Sequence, residues 1–296
     1  MALTLVDAAR LTTDMLVRGV IETVIEDSPV LQVLPFEGVE GNSLKYNMEV
    51  SPGAASFYAV NATWTEGAAT FATRTTNLAI LGGDVDVDNF LRRTMSDQND
   101  QRATQIAMKA KAVRRAFETA FVTGDSATDP NSFDGLRKLV PTSQTLDAGA
   151  NGAALTLALL DQLIDLVRGG KPDLLLMSRR SRRKLKSLLQ ASAHYVETGD
   201  QFGRRVLLYD GIPVVHSDFV PDDETLGSGT ALSSIYALGF GFGDALGGLQ
   251  NGGIEVVDVG QLESKDAVRT RIRWYCGLAL FRDNACARLR GINASY

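Results

Sequence analysis

The chain has 296 residues, 45% of them apolar, which is enough to bury a proper core and excludes broad disorder. Thirty lysines and arginines against 35 aspartates and glutamates leave a net charge of -5, so no basic field covers the whole protein and any nucleic-acid contact has to be local. Two cysteines, Cys276 and Cys286, are too few for a disulfide scaffold or a thiolate zinc site, and neither a long apolar window nor a signal-peptide start is present, which points to a soluble protein of a reducing compartment.

Taken in chain order, Ala8, Leu11, Met15, Val20, Ile21, Val24 and Ile25 recur at largely helical spacing and predict an amphipathic N-terminal helix that Ser28-Pro29 ends. From Leu44 the period changes to two, with Leu44, Tyr46, Met48 and Val50 on one face of a strand and Lys45, Asn47 and Glu49 on the other. Residues 51–77 then hold only two charged side chains, Glu66 and Arg74, where an average stretch of that length would hold about six. Phe57, Tyr58, Trp64 and Phe71 are scattered through this stretch among Ala, Thr and Gly with no helical period. Four aromatics argue against disorder, and a charge-poor aromatic hairpin standing in water is an aggregation hazard. The simplest resolution is that it lies against another copy of the chain.

A strand follows in LAILGGDVDVDNF. Its Asp84, Asp86 and Asp88 imitate the start of a calcium loop, but Asn89 and Met95 stand where the loop's glycine and closing glutamate belong, so alternation with Val85 and Val87 means a strand with one acidic face. Ser96 or Asp97 can cap a long helix over residues 97–122, whose stripe is Ala103, Ile106, Ala107, Ala110, Val113, Phe117, Ala120 and Phe121. At 1.5 Å per residue it spans about 39 Å and reads as a strut.

Residues 123–153 are polar and turn-rich, except for SFDGLRKLV. Beyond them helices and strands alternate: a helix over 156–167, the strand DLLLM, a helix from Arg179 to Leu189 capped by Ser178, then RVLLY and IPVVHS joined by Asp210-Gly211. The run SRRSRRKLKS places Arg179, Arg180, Arg182, Arg183, Lys184 and Lys186 on that helix, over more than one face. A solvated or intersubunit helix is the preferred reading; the alternative is a sequence-independent, phosphate-level contact with DNA. The chain closes with IEVVDV and AVRTRIRWYCGLALF, where Arg269, Arg271 and Arg273 share one face and Val268, Ile272 and Trp274 the other. If this basic ladder adjoins the acidic one, each rung contributes roughly 0.2–1 kcal/mol; otherwise the two are separate solvated faces. No internal repeat is found.

Catalytic fingerprints are missing. His194 and His216 lie in no recognisable catalytic or metal context, Asp244 replaces the third glycine of a nucleotide loop in GFGFGDALGG, and Pro172 follows Lys171 where a phosphate loop needs Ser or Thr. No catalytic, metal-binding or cofactor-binding residue is assigned.

The order of parts resembles the major capsid proteins of tailed bacteriophages, with the Hong Kong 97-like α+β fold. The carriers are DSPVLQVLPFEGVEGNSLKYNMEV, FVTGDSATDPNSFDGLRKLV, LMSRRSRRKLKSLL, VLLYDGIPVVHSDFVP and DAVRTRIRWYCGLALFRDNACARLRGI. The resemblance implies an N-terminal arm over 1–41, an extended E-loop over 42–77, a peripheral P-domain over 78–153 with its spine helix at 97–122, a mixed α/β axial A-domain over 154–253, and a return to the P-domain over 254–296. It further implies a non-enzymatic subunit that assembles with itself as pentamers and hexamers into an icosahedral shell around double-stranded DNA. Phe57, Tyr58, Trp64, Phe71 and Arg74 are then candidate intersubunit contacts. A portal, a separate scaffolding protein and a decoration protein are the other expected partners, with no membrane, and assembly is expected in the host bacterial cytoplasm. Some relatives join E-loops through lysine–asparagine links; this hairpin has no lysine between Lys45 and Lys109, so no such link is expected. An encapsulin-type compartment is the nearest alternative, and a soluble α/β enzyme using carboxylates is the alternative of another class.

Overall fold

The computed structural model describes residues 29–51, 53–94, 101–191, 197–201 and 204–293. The predicted N-terminal helix over 8–25, the first residues of the predicted 97–122 helix, and His194 lie outside them.

Short α1 (Pro29–Val33) leads to β1 (Phe36–Gly38), and β2 (Ser43–Ser51) and β3 (Thr70–Asn77) form a two-stranded ribbon. After β4 (Ala79–Asp88) and α2 (Asn89–Thr94) comes α3 (Gln101–Thr123), whose 23 residues give a rod of about 35 Å. Its buried side chains Val113, Phe117 and Phe121 belong to the stripe read from the sequence. Next come α4 (Leu136–Leu139), β5 (Thr145–Asp147), β6 (Ala153–Ala154) and α5 (Leu157–Leu166), where the Thr156 hydroxyl accepts the Leu159 amide as an N-cap. Then follow β7 (Leu174–Met177), α6 (Arg179–Ala191), β8 (Glu197–Gln201), β9 (Arg204–Tyr209), β10 (Ile212–His216), β11 (Glu224–Leu226), β12 (Gly229–Leu238), β13 (Leu246–Gln261), β14 (Ala267–Leu280) and β15 (Cys286–Asn293). The β9–β10 turn has positive φ at both Asp210 (51°) and Gly211 (75°), the geometry that Asp-Gly favours in a two-residue hairpin.

Two larger sheets organise these elements. A four-stranded sheet runs β1-β13-β14-β4, and a nine-stranded one runs β5-β15-β12-β7-β10-β9-β8 with β11 and β6 at its margins. The larger sheet is buried on both faces. Leu174, Leu176, Tyr236, Leu238 and Cys286 point into the core shared with α3 and the four-stranded sheet, while Leu175, Met177, Ile235, Ala237, Ala287 and Leu289 point to a second core under α5 and α6. Helices on one side and a sheet-plus-helix layer on the other explain why DLLLM shows no polar alternation.

β15 does not join β13 and β14 but lies in the nine-stranded sheet, between β12 and β5. Doubly buried strands look alike in sequence whichever sheet they join, so pairing decides this and composition does not.

Phe117 anchors the shared core. Its ring lies 4.7 Å from that of Trp274, 5.4 Å from Phe133 and 5.8 Å from Phe36, centroid to centroid. Phe36 reaches this cluster because β1 pairs with β13 opposite Gly248, where a Cβ would stand 2.6 Å from the Phe36 ring.

The charged ladders adjoin within one chain. Antiparallel pairing of β4 with β14 sets Asp86 opposite Arg269 and Asp84 opposite Arg271. Both arginines bind bidentately: Arg269 Nε and Nη2 donate to Asp86 at 2.7 and 2.8 Å, and Arg271 donates likewise to Asp84 at 2.7 and 2.9 Å. Lys265 adds a third donor to Asp86 at 2.6 Å. The outer rungs differ from the simple expectation. Register places Asp88 opposite Ala267, and its carboxylate instead accepts the Phe90 amide at the start of α2. Arg273 faces Gly82 and turns to Glu255 on β13, donating at 2.7 Å.

Two outcomes follow. Phe117→Ala should cost about 3–5 kcal/mol of unfolding free energy in a urea titration, since Phe36, Phe133 and Trp274 lose their common contact; a loss below 1 kcal/mol would contradict the packing described. The Arg269 guanidinium, with help from Lys265, holds the Asp86 carboxyl well below the usual carboxylate range. A depressed folded-state pKa contributes stability above the unfolded value near 4, and that contribution is lost as pH falls toward the folded one. Arg269→Ala should therefore lower stability at neutral pH, and its deficit relative to the parent should shrink between about pH 5 and pH 2. A deficit constant across that window would mean that the ion pair is silent.

Candidate functional site

The ribbon leaves the body at a well-fixed root. Tyr46 donates its hydroxyl to the Leu280 carbonyl at 2.9 Å and rests its ring 4.9 Å from Phe281, while Arg74 meets Asp283 at 2.7 Å. The Leu78 amide closes the base on the Asn42 carbonyl at 2.9 Å. Arg74, read from sequence as an intersubunit contact, is thus engaged within its own chain. Isolation explains the tightness of this anchor: β2 and β3 pair only with each other among the described strands, and a lone two-stranded ribbon is marginal without support.

Beyond the Ser51–Thr70 pair the ladder stops, and residues 53–69 continue with no strand of their own. Trp64 stacks on Tyr58 with centroids 4.5 Å apart, and the Tyr58 oxygen both meets the Thr65 hydroxyl at 2.7 Å and accepts the Thr65 amide at 3.1 Å. This clasp shapes the tip without burying it. Phe57 is 109% exposed, Val60 92%, Trp64 78% and Phe71 69%. Leaving a large apolar side chain in water forgoes about 1.5–3 kcal/mol of burial, and Phe57, Val60 and Trp64 all stand in that condition at one tip.

The basic helix looks different once folded. α6 buries Ser181, Leu185 and Leu189 against the nine-stranded sheet, and Ser178 caps it by accepting the Ser181 amide at 3.2 Å. Arg179 pairs with Asp218 at 2.5 Å; Arg180 donates to the Ala231 carbonyl at 2.7 Å and lies 3.6 Å from Asp222; Arg182 donates to His216 Nδ1 at 2.9 Å. Burial, then Arg182 and Arg179, lower the His216 pKa, which favours the neutral ring that accepts this bond. Arg183 and Lys184 are engaged as well, and Lys186 is exposed. Arg179 and Arg180 meet carboxylates and Arg182 an imidazole inside the subunit, so α6 does not present an unengaged basic row to a phosphate backbone.

Two features escaped the sequence reading. One is a buried pair in which Arg288 donates to Glu224 at 2.9 Å and to Ser234 at 3.0–3.1 Å; the signal was a charge on an inward position of CARLRGI. The other is a run of exposed Ile254, Val256, Val257 and Val259 on β13, invisible because strand residues of this kind are normally buried.

Nothing in this arrangement is set up for covalent chemistry. Burial pushes both thiols, Cys276 and Cys286, up to about 12, far from a reactive thiolate. An open groove of about 820 Å³ at the end of α3 contains Lys138, which is bound to Asp125 at 2.6 Å and Asp134 at 3.0 Å. Among the described residues no cluster of three or more His, Cys, Asp or Glu could hold a metal ion, and no helix is long and apolar enough to cross a membrane.

Comparison with solved structures places this architecture among shell proteins. The holo-SrpI encapsulin complex from Synechococcus elongatus PCC 7942 matches with a TM-score of 0.76 at 20% identity, covering 100% of this chain and 98% of that one. The cyanophage A-1(L) capsid matches with a TM-score of 0.73 at 14% identity, covering 98% and 99%, and the capsid of the empty GTA particle matches with 0.73 at 14%, covering 96% of both. At such identities the likeness concerns the fold. No curated protein matches the sequence. The family described as SU10 major capsid protein matches residues 48–293. That span takes in most of the ribbon, α3, the nine-stranded sheet and every strand of the four-stranded sheet but β1, and with it the chain belongs to the SU10 major capsid protein family, as a structural, non-enzymatic protein of the virion capsid.

Proposed function

We propose that the chain is the repeating subunit of an icosahedral shell, closing as pentamers and hexamers around packaged double-stranded DNA, with its β2–β3 ribbon lying across a sister copy. One observation carries this reading: the tip around Phe57, Val60 and Trp64 is shaped by an internal clasp yet is left almost wholly in water by its own chain. A head-to-tail contact of that kind closes into rings when the rotation permits. The links are noncovalent, because the ribbon beyond Lys45 carries no lysine. Assembly takes place in the host bacterial cytoplasm, guided by a separate scaffolding protein and completed by a portal, with a decoration protein as a further partner. DNA is met through nonspecific phosphate contacts that weaken with salt.

The encapsulin likeness supports a second reading, a shell that encloses protein. Particle contents separate the two: nuclease-protected DNA supports the first, and a co-purifying protein with no nucleic acid supports the second.

Phe57→Ser combined with Trp64→Ser should leave the melting temperature of the unassembled subunit within about 2 °C of the parent, because neither side chain enters a core. The same variant should fail to form particles under electron microscopy. Normal shells from it would remove the basis of the reading. Boiling particles in detergent should release a single band near 31.8 kDa, and a ladder would contradict noncovalent closure.

A further inference from the structure

β15 ends on a bulge. It sets Leu289 opposite Ile235 and Ile292 opposite Ser233 on β12, so β15 uses three steps where β12 uses two, and Gly291 lies in the surplus at a φ of 81°. The extra residue lets Leu289 and Ile292 both enter the core under α5 and α6, while Arg288 and Arg290 line a cavity of about 140 Å³. Glu224, Thr225 and Leu226 of β11 and Arg137 of α4 complete its wall. A Cβ at Gly291 would stand 2.5 Å from Leu226 Cδ2, so only glycine lets β11 close here. A single water needs roughly 10–15 Å³, which leaves room for a small anion.

Three guanidinium groups meet two carboxylates around this space. Arg288 commits Nε and Nη2 to Ser234 and Glu224, and Arg290 commits the same two atoms to Asp147. Arg137, held beside them by the fully buried Leu136, makes no hydrogen bond or ion pair among the described residues. One positive charge is therefore unmatched. Glu224 and Arg288 are each only 7% exposed, and Glu224 Oε1 is buried with no partner among the described residues. A buried acceptor without a donor is costly and uncommon in folded proteins.

The fitting occupant is an anion that also has a proton to give. Hydrogen phosphate meets both conditions, because its charged oxygens accept from guanidinium groups while its P–OH donates to a carboxylate. Sulfate is fully ionised at neutral pH and would set a second anion against Glu224 with no proton between them. A backbone phosphodiester of DNA lacks that proton too.

We propose that the cavity bounded by Arg137, Glu224, Arg288 and Arg290 is a binding site for free hydrogen phosphate, tying α4 and β11 to β15. The site does not depend on the shell reading.

Equilibrium dialysis of the subunit against radiolabelled inorganic phosphate, at pH 7 and constant ionic strength, tests it. The expected result is about one phosphate per chain, displaced at least about tenfold less effectively by sulfate, because a site built around a donated proton rejects the analogue without it. Arg137→Gln changes an exposed side chain, so it should melt within about 2 °C of the parent without phosphate, yet bind phosphate at least about tenfold more weakly. Lys186→Gln, exposed on α6, should bind as the parent does. Phosphate should also raise the melting temperature of the parent, and sulfate should not. No retained phosphate at millimolar concentration, equal displacement by sulfate, or unchanged binding in Arg137→Gln would each overturn the site, and equal weakening in Lys186→Gln would reduce it to general charge attraction. A 5′-phosphorylated oligonucleotide should compete no better than its unphosphorylated form; effective competition by the phosphorylated one would overturn the free ion as the ligand in favour of a DNA end.

Discussion

A ribbon of two strands cannot bury what it carries. β2 and β3 have no third strand among the described residues, and their tip holds Phe57, Val60 and Trp64 in water, although the rest of the chain shows that its composition suffices for dense cores. The organisation of the subunit follows from that imbalance. The root is held to the body by Tyr46 and Arg74 and the tip is clasped by Tyr58 on Trp64, so the ribbon has a defined shape without a surface of its own to rest on. In the proposed shell a partner surface would cover it, and its near-absence of charge suits an apolar one.

The body, by contrast, is self-sufficient. Its nine-stranded sheet is covered on both faces, and Phe117 joins α3, β1 and β14 in one aromatic cluster. Charge is also settled internally. Asp84 and Asp86 are matched by Arg271 and Arg269, Arg288 by Glu224, and Arg179 and Arg180 of the basic helix by Asp218 and Asp222. In the proposed shell, a subunit that satisfies many of its ions within itself would leave apolar contacts as the principal attraction between copies.

Much of this was legible in the residues because period and capping are local. The α3 stripe, the Ser178 cap, the Asp-Gly turn and the alternating charges of β4 and β14 all lie within a few residues of their signal. The unusual stretch 51–77 was legible for a different reason, since an absence of charge stands out against the average. Pairing was not legible. Whether CARLRGI joins the smaller or the larger sheet depends on contacts more than a hundred residues away, and the same non-locality hid the turn of Arg273 to Glu255 and the intrachain use of Arg74. The exposed valines of β13 were hidden by the rule that usually works, because Ile-Glu-Val-Val-Asp-Val reads as a half-buried strand until its neighbours are known.

The most direct measurement is hydrogen–deuterium exchange of residues 53–69, compared between assembled particles and unassembled subunits at the same pH and temperature. The account requires amides of this segment to exchange at nearly free rates in the isolated subunit and to become strongly protected on assembly, while those of the nine-stranded sheet stay protected in both. Equal exchange of the segment in the two states, or protection already complete in the lone subunit, would contradict it.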